Sequence, residues 1–161
     1  MAELNAISAE VVRVFLEKGL TLGTAESLTG GLVAASVASV SGASAVLMGG
    51  IVAYDPRVKH EVLGVETAVI ETDGVVSEAC ARQMAQGARR VLGVDVAVSA
   101  TGIAGPTGGT TETPVGTVFI GCATAEGTRV AEWHFAGDRQ EVRREAARAA
   151  LEMAMERISA P

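Results

Sequence analysis

Aromatic side chains make up only 3% of this 161-residue sequence, and cysteine, histidine and lysine occur just twice each. Each scarcity excludes something. With 48% of residues hydrophobic and few large rings among them, Ala, Val and Gly dominate, which points to closely packed helices and sheet with small side chains. Cys80 and Cys122 stand far apart, with no CxxC or Cys/His spacing, so neither a disulfide framework nor a zinc site is indicated. A reducing, cytoplasmic setting is the expectation. His60 follows a lysine on a helical pattern and His134 alternates with apolar neighbours, which gives a Ser-His-Asp triad or an HExxH metal motif no support. No metal and no organic cofactor is expected. Basic residues are also in deficit, 13 against 19 acidic, for a net charge of −6. Phosphate backbones gain no general attraction from such a chain, so no nucleic-acid partner is expected.

One long stretch lacks charge altogether, from Ser27 to Tyr54. It is long enough to cross a bilayer. Gly30-Gly31, "SGAS" at 41–44 and Gly49-Gly50 break it, however, into a loop, a buried helix, a turn and a buried strand. No membrane association is expected. The opening "MAELNAISAEVVRVFLEKG" carries charges throughout and reads as an amphipathic helix rather than a secretory leader.

The elements alternate along the chain. Ile7, Val11, Val14, Phe15 and Leu16 recur at helical spacing up to a stop at Gly19. "TLGTAES" reads as a strand, "LVAASVASV" as a helix of small residues, "AVLMGGIVAY" as a buried strand, and "PRVKHEVLG" as a helix opened by Pro56. Ser77 is the N-cap expected for "EACARQMAQGARRVLG", with Glu78 in its first turn. "VDVAVSATG" is a strand entering a Gly/Thr/Pro loop. "VGTVFIGCAT" and "TRVAEWHFA" then form a hairpin, and Asp138 with Glu141 forms a capping box for the last helix. The sum is one α/β domain over residues 1–161, with helices on both faces of a mixed sheet.

Three loops are rich in Gly, Ser and Thr: "AESLTGG" (25–31), "SGAS" (41–44) and "TGIAGPTGG" (101–109). Two of them follow strands, where open α/β sheets hold ligands and where N–H groups suit a phosphate. With histidine and metal chemistry set aside, the candidates that remain are serine or threonine as nucleophile and lysine as base. Eleven of the 13 basic residues are arginine, which does not release its proton. Lys59, one turn into a helix, is either a solvated side chain or a base made neutral by burial.

The ordered motifs "TAESLTGG", "SGASAVLMGGIVAYDPRVKHEVLGV", "GVVSEACARQMAQGAR", "SATGIAGPTGGTTETPVGTV" and "AGDRQEVRREAA" together resemble the CinA C-terminal domain family over about residues 5–157. That family includes stand-alone nicotinamide mononucleotide deamidases. The resemblance implies a three-layer α/β/α sandwich and hydrolysis of nicotinamide mononucleotide to nicotinic acid mononucleotide and ammonia in pyridine nucleotide recycling. It also implies a Ser/Lys dyad, matched here to Ser44 and Lys59 with Tyr54 beside them. Ser27, Thr101 and Gly102 match pocket positions, and Arg139 and Arg143 the basic positions of "GDRxxVR". Thr29, Gly30 and Gly31, at a helix start, are assigned to the substrate phosphate together with an arginine. The oxyanion hole falls to Gly42–Ala45 or to residues 101–105. Glu26 either balances the pyridinium charge or caps a helix. Two departures stand out: Leu28 replaces a cysteine common in the family, and "DPRV" places a proline between Tyr54 and Lys59. The chain is too short to hold the nucleotide-binding domain of full-length CinA as well. The alternative reading is a non-catalytic module that binds a nucleotide or a protein partner. Its Ala/Val-rich surface leads to the expectation of a homo-oligomer.

Overall fold

The computed structural model describes residues 1–159. Its elements in chain order are α1 (Ala2–Lys18), β1 (Leu22–Glu26), α2 (Leu32–Ala38), a 3₁₀ turn (Ala43–Ala45), β2 (Leu47–Val52), α3 (Pro56–Glu61), α4 (Thr67–Thr72), α5 (Glu78–Leu92), β3 (Val96–Gly102), β4 (Thr117–Thr124), β5 (Gly127–His134) and α6 (Arg139–Ser159). The strands form a single sheet in the order β2-β1-β3-β4-β5. β1 runs parallel to both β2 and β3, whereas β4 runs antiparallel to both β3 and β5. This is the three-layer mixed α/β fold that the alternation of elements predicts.

Helices α1, α2 and α6 cover one face, over a core that includes Phe15, Leu22, Val33, Val98, Ile120 and Leu151. α5, with α3 and α4, covers the other over Ala25, Leu63, Cys80, Met84 and Ala97. Small residues set this second spacing. A Cβ at Gly87 of α5 would overlap the backbone carbonyl of Leu63, so at this point the helix backbone packs directly against the loop before Val65.

Local chemistry fixes the element ends. Ser77 Oγ accepts from Cys80 N at 3.2 Å, confirming its N-cap role. Asp138 and Glu141 exchange the two bonds of a capping box. Asp55 Oδ1 accepts from Arg57 N at 2.8 Å with Pro56 opening α3, so the proline starts the helix that carries Lys59. The uncharged stretch 27–54 resolves into a turn, α2, the 3₁₀ turn and β2, and among the described residues no helix is long and apolar enough to cross a membrane. One expectation fails: "AVLMGGIVAY" is not a buried strand. β2 is an edge strand with alternating exposure, leaving Met48 and Val52 about half open at 46% and 50%. α4 was not anticipated, because its six residues are too short to show helical periodicity.

Candidate active site

The parallel strands β1 and β3 both end at one rim of the sheet, and their continuations supply the site. Beyond β1, the chain turns sharply at Gly30 and Gly31, whose φ values of 59° and 103° favour glycine. Ser27 sits before that turn. Its N–H bonds to Ala100 O of β3 at 2.9 Å, which fixes the serine against the neighbouring strand. Beyond β2, Ala53 N bonds to Glu26 O at 2.8 Å and the chain enters α3.

Lys59 lies on the inner face of α3 and is 1% exposed. Its Nζ makes three hydrogen bonds: to Ser27 Oγ at 2.9 Å, Ala53 O at 2.8 Å and Tyr54 O at 3.1 Å. None of these partners is charged, and among the described residues Lys59 has no salt bridge. Burial lowers its pKa from the ordinary value, opposed by weaker attractions to Cys80 and Asp55. Cys80 opposes only as a thiolate, and burial pushes that thiol up to about 11, so at neutral pH it offers Lys59 no charge. The geometry also selects a direction. Carbonyl oxygens can only accept, so a neutral amine spends its two N–H groups on Ala53 O and Tyr54 O and turns its lone pair to the Ser27 hydroxyl.

The pair forms the floor of a cleft of about 270 Å³, walled by Leu28, Val75, Val76, Ile103 and Ala104 and reaching Tyr54 and Arg139 at its mouth. Thr101 Oγ1 donates to Val75 O at 2.7 Å and ties β3 to that wall. Arg139 Nη1 donates to Gly105 O at 2.8 Å and its Nη2 to Tyr54 Oη at 3.0 Å, so the guanidinium spans the cleft mouth. Leu28, Ala104, Gly105, Thr107 and Gly108 line the same space, and their N–H groups have no acceptor among the described residues. A larger cavity of about 600 Å³ lies elsewhere, lined by Lys18, Arg89, Asp95 and Arg157. It contains neither Ser27 nor Lys59.

The structure thus brings together Lys59, Ser27, Tyr54, Thr101, Gly102 and Arg139. It does not bring Ser44 to Lys59. Ser44 is exposed in the 3₁₀ turn before β2, while Lys59 lies beyond the opposite end of that strand. Six residues at about 3.3 Å each separate the two ends by roughly 20 Å. Gly42–Ala45 is removed from the site for the same reason. The phosphate assignment to Thr29, Gly30 and Gly31 also fails, because a carboxylate already occupies that helix start. Buried Glu26 accepts from Gly31 N at 3.2 Å, Val33 N at 2.8 Å and Ala34 N at 3.0 Å, and from Thr24 Oγ1 at 3.0 Å. Glu26 is therefore a cap, the second of its two expected roles. Thr29 is wholly buried and its Oγ1 has no partner among the described residues. Arg143 leaves the ligand set too: its Nε and Nη2 donate to Leu28 O and Thr29 O at 3.0 and 2.9 Å, gripping the turn behind Ser27.

The sequence profile of the CinA C-terminal domain matches residues 4–158. A CinA-like protein of Geobacter sulfurreducens is 46% identical over 154 residues, covering 96% of this chain and 37% of that protein. One of Anaeromyxobacter dehalogenans is 48% identical over 143 residues, 89% of this chain and 35% of that protein. The chain therefore spans little more than a third of the length of these curated relatives. Among solved structures, the competence/damage inducible protein CihA of Agrobacterium tumefaciens superposes with a TM-score of 0.94 at 38% identity, covering 96% of this chain and 94% of that one. The competence damage-inducible protein A of Klebsiella pneumoniae gives 0.93 at 35% identity, covering 97% of each. Sequence and fold agree over nearly the full length, and the chain belongs to the CinA C-terminal domain family.

Proposed function

We propose that the chain is an amidohydrolase that converts nicotinamide mononucleotide to nicotinic acid mononucleotide and ammonia, with Ser27 as nucleophile and Lys59 as base. One observation carries the reading: a buried lysine without a charged partner, 2.9 Å from a serine hydroxyl at the floor of a cleft. Neutral Lys59 takes the Ser27 proton as Oγ attacks the carboxamide carbon. The C=O electrons move to oxygen, and the N–H groups of the cleft-lining residues Leu28 or Ala104–Gly105 stabilise that oxyanion. The Lys59 proton passes to the departing nitrogen as the C–N bond breaks, releasing ammonia and leaving an ester on Ser27. Water, deprotonated by the same amine, cleaves the ester to the carboxylic acid and restores Ser27.

The substrate's charges suit the cleft. None of its lining residues is acidic, so a bound pyridinium ring is neutralised by no carboxylate and further disfavours the ammonium form of Lys59. Arg139, placed at the mouth and paired with no carboxylate among the described residues, is the cation for the 5′-phosphate, with the unpartnered N–H groups of Thr107 and Gly108 on the same cleft lining.

The test is ammonia release from nicotinamide mononucleotide by the purified chain and by folded Ser27→Ala and Ser44→Ala variants. Turnover that falls at least a thousandfold in Ser27→Ala and stays within twofold in Ser44→Ala is expected. A folded parent without activity overturns the substrate; a fully active Ser27→Ala variant overturns the nucleophile.

A further inference from the structure

The arginines of α6 are used in different ways. Arg148 pairs with Glu145 and Glu152 along the helix. Arg143 has no carboxylate partner among the described residues and turns its guanidinium onto backbone instead. Nε donates to Leu28 O at 3.0 Å and Nη2 to Thr29 O at 2.9 Å, with Nη1 held by Gln140 Oε1 at 2.8 Å.

The turn that receives these bonds is the one that presents Ser27, and its peptide groups are linked in series. Thr29 O, the acceptor from Arg143, shares a peptide plane with the Gly30 N–H, which donates to Ser27 O at 3.0 Å. Ser27 O in turn shares a peptide plane with the Leu28 N–H. These peptides are trans, so their C=O and N–H groups point in opposite directions, and fixing Ser27 O fixes the Leu28 N–H. Gly30 and Gly31 give the turn little stiffness of its own, so its shape depends on such bonds. Of the N–H groups from Ser27 to Gly30, those of Leu28 and Thr29 have no acceptor among the described residues, and of these two residues only Leu28 lines the cleft. The series also carries charge. A cationic donor on a carbonyl polarises that peptide, which strengthens its N–H as a donor, and linked hydrogen bonds reinforce one another in this way. Where a serine nucleophile sits at a sharp turn after a strand, the N–H of the next residue supplies one arm of the oxyanion hole. Here that residue is Leu28.

We propose that Arg143 is a positioning residue that aims and polarises the Leu28 N–H as the oxyanion donor for attack by Ser27. The proposal rests on Ser27 as nucleophile and gives the guanidinium no contact with substrate. It is tested on the 161-residue chain, on Arg143→Met, which keeps an apolar stem and removes every donor, and on Arg143→Ala, each checked for folding by circular dichroism. Two rates are measured: ammonia release from nicotinamide mononucleotide, and labelling of Ser27 by a small alkyl fluorophosphonate, located by peptide mass spectrometry. In the labelling step Ser27 Oγ bonds to phosphorus, fluoride leaves, the hydroxyl proton passes to Lys59, and the phosphoryl oxygen takes the place of the carboxamide oxygen. Arg143→Met should lower kcat and the labelling rate on the order of 10²-fold, with KM within about threefold of the parent. Millimolar guanidinium should restore much of the rate lost in Arg143→Ala, which a merely destabilised fold would not regain. A folded Arg143→Met whose kcat and labelling rate match the parent's, or whose loss lies in KM alone, overturns the proposal, and so does a folded Arg143→Ala that guanidinium leaves unchanged. Either rate alone decides on Arg143: a parent that is labelled at Ser27 but releases no ammonia overturns the substrate, and the labelling rates then judge the arginine. A parent that neither takes the label nor releases ammonia overturns the nucleophile and this proposal with it.

Discussion

Replacing Lys59 by methionine separates the chemistry of the site from its architecture. Methionine fills a similar volume, carries no proton and leaves Ser27 in place. A lysine at its ordinary pKa of about 10.4 costs roughly 5 kcal/mol to deprotonate at pH 7, at about 1.36 kcal/mol per unit. Burial of Lys59 lowers that cost. The parent's kcat/KM should therefore rise with pH along a limb whose midpoint lies below the ordinary lysine value. In Lys59→Met the limb should vanish and turnover should drop about 10²- to 10⁴-fold, the usual contribution of a positioned base. Stability supplies an independent reading. Between the lowered folded-state pKa and the ordinary unfolded one, the unfolded chain holds more protons than the folded chain, so this group makes stability rise with pH, by at most about 1.4 kcal/mol per unit. The variant lacks that slope, and the parent should gain on it as pH rises through the window. Denaturant unfolding of both proteins from pH 6 to 10, beside ammonia release, measures each effect. A variant within tenfold of the parent's activity with the same pH limb, or a stability difference that shrinks as pH rises, would refute the role of Lys59 as a buried neutral base.

Other sites give separable outcomes. Arg139→Ala should raise KM for nicotinamide mononucleotide about 10- to 150-fold, the loss of one charged hydrogen bond of about 1.5–3 kcal/mol, with kcat little changed; initial-rate kinetics reads the split, and an unchanged KM removes Arg139 from the phosphate site. Glu26→Ala leaves the Gly31, Val33 and Ala34 N–H groups without their acceptor and should cost about 3 kcal/mol or more in urea unfolding, whereas a loss below 1 kcal/mol refutes the cap. Gly87→Ala drives a methyl into the Leu63 carbonyl and should lower the unfolding free energy by about 2 kcal/mol or more, although alanine is the better helix former. A variant as stable as the parent would show that α5 has room to shift.

Most of the fold was legible because its signals are local. Gly19, Pro56, Ser77 and the Asp138/Glu141 pair each mark an element boundary through its own backbone chemistry, and each does so in the structure. The exposure of β2 escapes the sequence for a related reason. An apolar run records that a strand avoids charge, but the run itself cannot distinguish a strand flanked on both sides from an edge strand. That difference lies in sheet order, set by how β1 pairs with β3 as well as β2.

The site shows the same division between local and topological information. Lys59 stands out because its chemistry belongs to the side chain: unlike arginine, a lysine can be driven neutral, and the helix beginning at Pro56 carries it inward. Choosing between Ser27 and Ser44 required knowing which ends of which strands coincide. A usable signal existed. Ser27 follows its strand and Ser44 precedes one, and parallel strands gather ligands at their C-terminal ends. Applied to all three Gly/Ser/Thr loops, that rule retains "AESLTGG" and "TGIAGPTGG" and discards "SGAS", and these two retained loops border Lys59. The phosphate misassignment has a different origin. A Gly-rich turn entering a helix advertises free N–H groups, yet the chain carries its own anion, Glu26, five residues before the second of those glycines. A helix start is open to a ligand only after the carboxylates within reach have been counted, and here the buried one takes it. The N–H groups left without an acceptor among the described residues are those of Leu28 and of the 104–108 loop, where no acidic side chain lines the cleft.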